Sequence, residues 1–279
     1  MRQANLTRAT LTAAALIGLS GCVAFDLGPQ NPGWSMTAAE ERAEFERMKA
    51  EPVELERPLV IIGGYLSPPM VADSYGKQIS RLTGEDMGDL IRVPMIGVQT
   101  FEQAVEVVLD ALYKRYPQVE NGETIEVDVI GISMGGIVAM QAAEPADDRP
   151  RLKIRRLYTL GSPHRGADLA QKITLEQISQ DMRYKSLRLV KLHENRDKWG
   201  YELYPYAILD DNIVGTRNSA PWGEAPIWVQ RHTFVTHFGL EHDDQILIDV
   251  ARRLRGEEPI LVRAPLPEDS DEVASAAVE

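Results

Sequence analysis

Gly131-Ile132-Ser133-Met134-Gly135 sets a hydroxyl between two glycines, a G-x-S-x-G pentapeptide. A serine hydroxyl is a poor nucleophile at neutral pH. To attack a carbonyl it needs a base to take its proton, an acid group to orient that base, and N–H donors for the oxyanion that develops. A sharp turn from strand into helix lifts such a serine out of the sheet edge. The crowding of that turn demands small residues two positions before and two after. Gly131 and Gly135 meet the demand, and Gly136 lets the next helix pack closely. The flanking "EVDVIGISMGGIVAM" reads as strand, turn and helix. The helix aims its N-terminal amides at the serine.

In this arrangement the acid follows the serine after a late strand, and the base comes last, in a loop before the final helix. Asp210 and Asp211 both follow the apolar "YAIL". Of the histidines at 164, 193, 232, 237 and 242, His237 in "THFGLEHDD" has the position of a base. His242 sits almost at the cap of the last helix, where its ring would point along the helix. His232 ends a strand and reads as structural. His164 belongs to a loop near the serine, and His193 reads as a surface residue. The pairs in "HTFVTH" and "HFGLEH" stand five apart, off any one helical face, and there is no H-E-x-x-H or cysteine cluster. That pattern argues against a catalytic zinc. No Gly-rich phosphate loop is present, and no metal or cofactor is expected.

Alternating elements must hold these residues. "PLVIIGG" (58–64) is a buried strand running into a tight loop, and 72–82 suits a helix. "LIRVPMI" (90–96) is a second strand, and "TFEQAVEVVLDALYKRYP" (100–117) is an amphipathic helix capped by Thr100 and stopped by Pro117. Strand 124–133 enters the pentapeptide, 134–144 is a helix, and "IRRLYTLGSPHRGA" (154–167) is a strand ending in a loop. Residues 206–210 and 226–232 read as the last strands, and 243–256 as the closing helix. This rhythm predicts an α/β fold, a mostly parallel sheet flanked by helices with right-handed crossovers. Residues 167–203 break the rhythm with charged helical sequence, expected to form a small helical cap over the strand ends.

The flanks read differently. Residues 1–21 have a basic start (Arg2, Arg8) and a short apolar run, "LTAAALIGL", too short to span a bilayer. A signal peptide is expected there. Residues 22–35 suit a tether, and 36–56 a charged helix opened by the capping box Thr37-x-x-Glu40, with Phe45 and Met48 docked on the body. The domain proper spans 57–256, and 257–279 is an acidic tail expected to be disordered. Formal net charge is −12, with no basic surplus to neutralise phosphates, so a nucleic-acid partner is not expected.

From about Pro58 to Leu254 the chain resembles α/β-hydrolases, and among them bacterial lipases and related esterases. The resemblance rests on "IIGGYLSP", "GISMGG", "LYTLGSPHRGADLA", "LDDNIVGT" and "THFGLEHDDQILIDVARRL". Gly161-Ser-Pro-His-Arg-Gly166 looks like the Gly-Thr-Pro-His-Arg-Gly of lipases and lipase-like deacylases. The resemblance implies a nucleophile at Ser133, a base at His237 and an acid at Asp211, whose Asp-Asn-Ile-Val fits the family's Asp-x-x-Val. It implies oxyanion donors at the Met134 and Tyr65 amides. Relatives carry His-Gly in the early loop where this chain has Gly63-Gly64, which leaves open how the loop is braced and whether Tyr65 or Leu66 donates.

The ending Leu19-Ser20-Gly21-Cys22 resembles a bacterial lipobox, which implies lipidation at Cys22, the only cysteine. Val23 in place of an Asp implies the outer membrane of the cell envelope. The function these readings imply is hydrolysis of a lipid or other acyl ester through an acyl-enzyme. A thioesterase or lipid deacylase could use the same three residues, and a non-catalytic envelope lipoprotein could use the fold for binding.

Overall fold

The computed structural model describes residues 28–172, 176–195, 198, 200–230 and 236–267. Strand β1 (Leu59–Ile62) leads through helix α2 (Pro69–Thr83) to β2 (Ile91–Val93), and α3 (Phe101–Tyr113) returns to β3 (Glu123–Ile132). Then follow α4 (Met134–Ala143), β4 (Arg151–Leu160), α5 (Gln177–Asp181), α6 (Leu187–Glu194), β5 (Glu202–Ile208), β6 (Ile227–Val229) and α7 (Asp244–Leu254). Helix α1 (Ala38–Ala50) precedes them all. The six strands form one sheet in the order β2-β1-β3-β4-β5-β6, and every described pair is parallel.

All four residues of β1 are buried, as a central parallel strand covered on both faces requires. Its side chains alternate between two cores. Val60 and Ile62 join α3 and α4 on one face, while Leu59 and Ile61 join α2 and α7 on the other. The chain therefore winds outward from β1 to β2 over one face and back to β3 over the opposite face. That reversal opens a crevice at the carboxyl ends of β1 and β3, the place where open α/β sheets put their ligands.

Several boundaries differ from the expectation. Strand β5 starts at Glu202, four residues earlier than its apolar sequence suggests, and carries Pro205 inside it. Pairing with β6 begins only at Tyr206, so at Pro205 the β6 side of the strand demands no donor. Helix α3 ends at Tyr113, well before Pro117. The supposed tether is packed from Asn31 on: Asn31 and Trp34 are buried, and Asn31 Nδ2 donates to the Val262 carbonyl (3.1 Å). That carbonyl belongs to the supposed disordered tail, whose residues 257–267 are described and packed at Leu261 and Ala264. Buried Asp249 accepts from Ile260 N–H (2.7 Å) and Leu261 N–H (2.8 Å), so the apolar Leu261 inserts fully. The signal peptide, Cys22 and residues 268–279 lie outside the described residues.

Helix α1 opens on the expected capping box at Thr37 and buries Met48. Glu44, also buried, pairs with Arg47 of its own helix and Arg252 of α7, and Arg47 reaches Glu257 (2.6 Å). These arginines hold the Glu44 carboxyl at about 2, below its ordinary range. The charged face is thus spent on clamping α1 to α7.

The insertion between β4 and β5 packs beside the sheet. Ile178, Leu189 and Leu192 are buried in the core shared with α3 and α4. Arg188 bonds Gln141 (2.9 Å) and Glu102 (2.7 Å) and lies over the Phe101 ring. The insertion reaches the strand ends through Glu176, which accepts a hydrogen bond from the Tyr65 hydroxyl.

Candidate active site

The turn from β3 into α4 is as tight as glycine permits. A Cβ on Gly131 would lie 2.7 Å from the Gly135 carbonyl carbon, and one on Gly135 would lie 2.7 Å from the Gly63 oxygen. A Cβ on Gly136 would come 2.7 Å from Thr159 Cγ2, so the glycine lets α4 lie against the side chains of β4 and the loop after it. Between these glycines Ser133 adopts φ 52°, ψ −124°, a conformation that costs a residue bearing a Cβ about 1–3 kcal/mol. Its N–H is tied to the Leu160 carbonyl (2.7 Å), so the turn is anchored to β4 while its side chain stands half-buried at the sheet edge.

His237 and Asp211 meet Ser133 there. His237 Nε2 lies 2.9 Å from Ser133 Oγ, and His237 Nδ1 lies 2.7 Å from Asp211 Oδ2. Both His237 and Asp211 are buried. The other oxygen of Asp211, Oδ1, accepts the N–H groups of Ile213 and Val214, each at 2.9 Å. A carboxylate held in this way orients the ring with its N–H on Nδ1, leaving Nε2 as an acceptor for the serine proton. Asp210 is differently used. It sits at φ 57°, and its carbonyl accepts from the Thr236 hydroxyl (2.6 Å), pinning the residue before His237. Glu241 shares the turn of His237, and burial pushes its carboxyl above the ordinary range.

The remaining histidines lie elsewhere. His242 is exposed and takes a hydrogen bond from Gln78 Nε2 (3.1 Å). His164 is buried, with Nε2 2.8 Å from Thr159 Oγ1. His193 is not the surface residue expected of it: its Nε2 accepts the Trp222 N–H (2.7 Å), with the two rings edge to face. His232 lies outside the described residues.

Met134, buried, is the first residue of α4, so its N–H has no acceptor within the helix. Tyr65 is half-buried on the loop after β1, immediately beyond Gly64, whose added Cβ would stand 3.1 Å from Ser133 Cβ. The departure at Gly63 has a physical reason. A Cβ there would overlap the Ser67 hydroxyl, which fills the volume a larger residue would need. The loop is braced by its backbone: Gly63 N–H donates to Val93 O (2.9 Å), Ser67 N–H to Gly64 O (3.1 Å) and Met95 N–H to Ser67 O (3.1 Å).

Sequence reasoning passed over Gly161, at the end of β4. It has φ 56°, and a Cβ on it would overlap Leu240 and stand 3.3 Å from the His237 ring. Replacing Gly161 by alanine is expected to lower kcat for ester hydrolysis about tenfold to a hundredfold by displacing that ring. Steady-state kinetics well below the variant's melting temperature, where the protein is folded, would check this. Its signal was the glycine opening "GSPHRG".

A model of the PGAP1-like alpha/beta domain matches residues 95–205, less than half of the chain. The match holds Ser133 and stops short of Asp211 and His237. No curated protein sequence matches the chain. Among solved structures, the product of gene lin2722 of Listeria innocua superposes with a TM-score of 0.51 at 17% identity, covering 72% of this chain and 95% of that one. The Bacillus licheniformis lipase BlEst2 in its propeptide form superposes with a TM-score of 0.51 at 13% identity, covering 77% of this chain. Phospholipase PlaB of Legionella pneumophila gives 0.43 at 12% identity over 55% of this chain. The chain spans 55% of the Bacillus lipase and 39% of the Legionella phospholipase. The parallel sheet wound outward and back, the glycine-bound turn at Ser133 and the likeness to a bacterial lipase together show that the chain has the α/β-hydrolase fold.

Proposed function

We propose that the protein is a serine hydrolase that cleaves carboxylic esters. The observation that carries this reading is the hydrogen-bonded row from Ser133 Oγ through His237 to Asp211, at 2.9 and 2.7 Å. Ser133 Oγ attacks the ester carbonyl while His237 Nε2 takes its proton. Asp211 stabilises the imidazolium, and the Met134 and Tyr65 N–H groups hold the oxyanion. Collapse of the tetrahedral intermediate expels the alcohol, which receives the proton from His237. Water then attacks the acyl-enzyme with His237 as base, and the carboxylic acid leaves.

An acyl chain suits the mouth of this site. Leu66 and Met70 follow β1, Ile96 follows β2, and Phe238 meets the His237 ring edge to face; all four are exposed. Exposed apolar side chains on the loops after these strands favour a hydrophobic partner. In our reading a lipidated Cys22 holds the enzyme on the envelope, at the outer membrane; the Leu-Ser-Gly-Cys ending supports it.

A fluorophosphonate probe, which reacts with activated serines, tests the reading. One label per folded chain is expected, placed on Ser133 by peptide mass spectrometry. Folded protein that takes no label would instead support a non-catalytic use of the fold.

A further inference from the structure

The loop after β1 carries the Tyr65 N–H that our reading aims at the oxyanion, and its geometry is exacting. Leu66, the next residue, sits at φ 54°, in the left-handed region that disfavours a residue bearing a Cβ. Backbone of this kind persists only where surrounding contacts over-determine it. The backbone bonds that brace the loop fall on Gly63, Gly64 and Ser67, on either side of Tyr65 and Leu66. The Tyr65 side chain supplies a further hold. Its ring packs on the core to which Met134 and Ile178 belong, and its hydroxyl donates to a carboxylate oxygen of Glu176.

Glu176 is placed to be a fixed post. It precedes α5, and its carbonyl accepts the N–H groups of Ser179 and Gln180, each at 3.1 Å. Ile178 and Ser179, in the turn that follows, are buried. A carboxylate at the head of a helix can accept the free N–H groups of the first turn. Glu176 makes no such side-chain cap. Its carboxylate reaches across to Tyr65, 111 residues away in the chain. The bond thus ties the insertion between β4 and β5 to the loop that supplies one of the two proposed oxyanion donors.

We infer that Glu176 is a positioning residue for ester hydrolysis, acting through the Tyr65 hydroxyl to keep the Tyr65 N–H aimed at the oxyanion. This role, which rests on the proposed ester hydrolysis, concerns the transition state. The N–H meets developed negative charge only in the tetrahedral intermediate and the transition states beside it. A misplaced donor therefore weakens those states more than it weakens the bound ester. Loosening the loop should lower kcat and leave KM nearly unchanged.

Steady-state kinetics of the full chain on a short p-nitrophenyl ester, with fluorophosphonate labelling rates alongside, test the assignment. Tyr65→Phe keeps the packed ring, and Glu176→Ala keeps the α5 backbone. Tyr65 is half-buried and Glu176 exposed, so both variants should fold, with melting temperatures close to the parent's. Each is expected to lower kcat about tenfold with KM within about twofold of the parent. The double variant should lose no more than either single one, because both break the same bond. Glu176→Gln keeps an acceptor oxygen at the same reach and should stay within about threefold of the parent kcat. Labelling of Ser133 should slow in step with kcat, since the phosphonyl oxygen uses the same donors. Parent-like kcat in either single variant, losses that add in the double variant, or equal losses in Glu176→Gln and Glu176→Ala would overturn the role. A parent protein that takes no label defeats the ester-hydrolase reading and this role with it. A labelled parent whose variants react at the parent rate defeats this role alone.

Discussion

Replacing Ser133 by alanine is expected to lower kcat/KM for a short p-nitrophenyl ester by about 10⁴-fold or more, to the level the oxyanion donors sustain alone. The loss belongs to chemistry, since the side chain holds nothing structural in place. Ser133 is anchored by its N–H to Leu160, which alanine keeps, and the Cβ that the turn already accommodates also remains. The melting temperature should therefore stay close to the parent's. Ser133→Gly separates the two roles further. It also lacks the nucleophile, but glycine adopts φ 52°, ψ −124° freely, so this variant should unfold with about 1–2 kcal/mol more stability than Ser133→Ala. Hydrolysis surviving in purified Ser133→Ala would remove Ser133 from the mechanism. Equal stability of the two variants would mean that the turn stores no strain.

Much of this arrangement is legible in the sequence, because local chemistry dictates it. The turn at 131–136 needs glycines for the same reason wherever it occurs, and chain order then limits the partners to a few aspartates and histidines. Strands such as β1, apolar throughout, declare their burial. What escaped was tertiary. Pro205 argues against a strand until the pairing begins at Tyr206. The charged sequence after Gly256 looks like a loose tail until Asp249, buried on α7, is seen to receive its amides. Gly63 looks like a defect in the early loop until Ser67 is found in the space a larger residue would occupy. His193 looks like a surface residue until the Trp222 amide turns up against its ring. In each case the deciding partner is remote in the chain, or is a volume that no residue type announces.

The choice between two adjacent aspartates is of this kind, and it yields the second large effect. Asp211→Asn is expected to lower kcat by about 10³–10⁴-fold, and Asp210→Asn by less than about tenfold. The asymmetry follows from which atoms each residue uses. Asp211 Oδ1 is held by the Ile213 and Val214 N–H groups, so an asparagine there must keep its carbonyl oxygen on that side. Its amide nitrogen then replaces Oδ2 and faces His237 Nδ1 with a donor. The ring can answer only by carrying its own proton on Nε2, which turns a donor toward Ser133 Oγ where an acceptor is needed. The geometry survives and the base is lost. Asp210 reaches the turn through its backbone carbonyl, which asparagine also has, and asparagine tolerates its left-handed φ of 57° well. Fluorophosphonate labelling should slow in parallel with kcat in Asp211→Asn and stay near the parent rate in Asp210→Asn, with both proteins folded by circular dichroism. The reverse pattern, loss in Asp210→Asn and activity in Asp211→Asn, would reassign the acid.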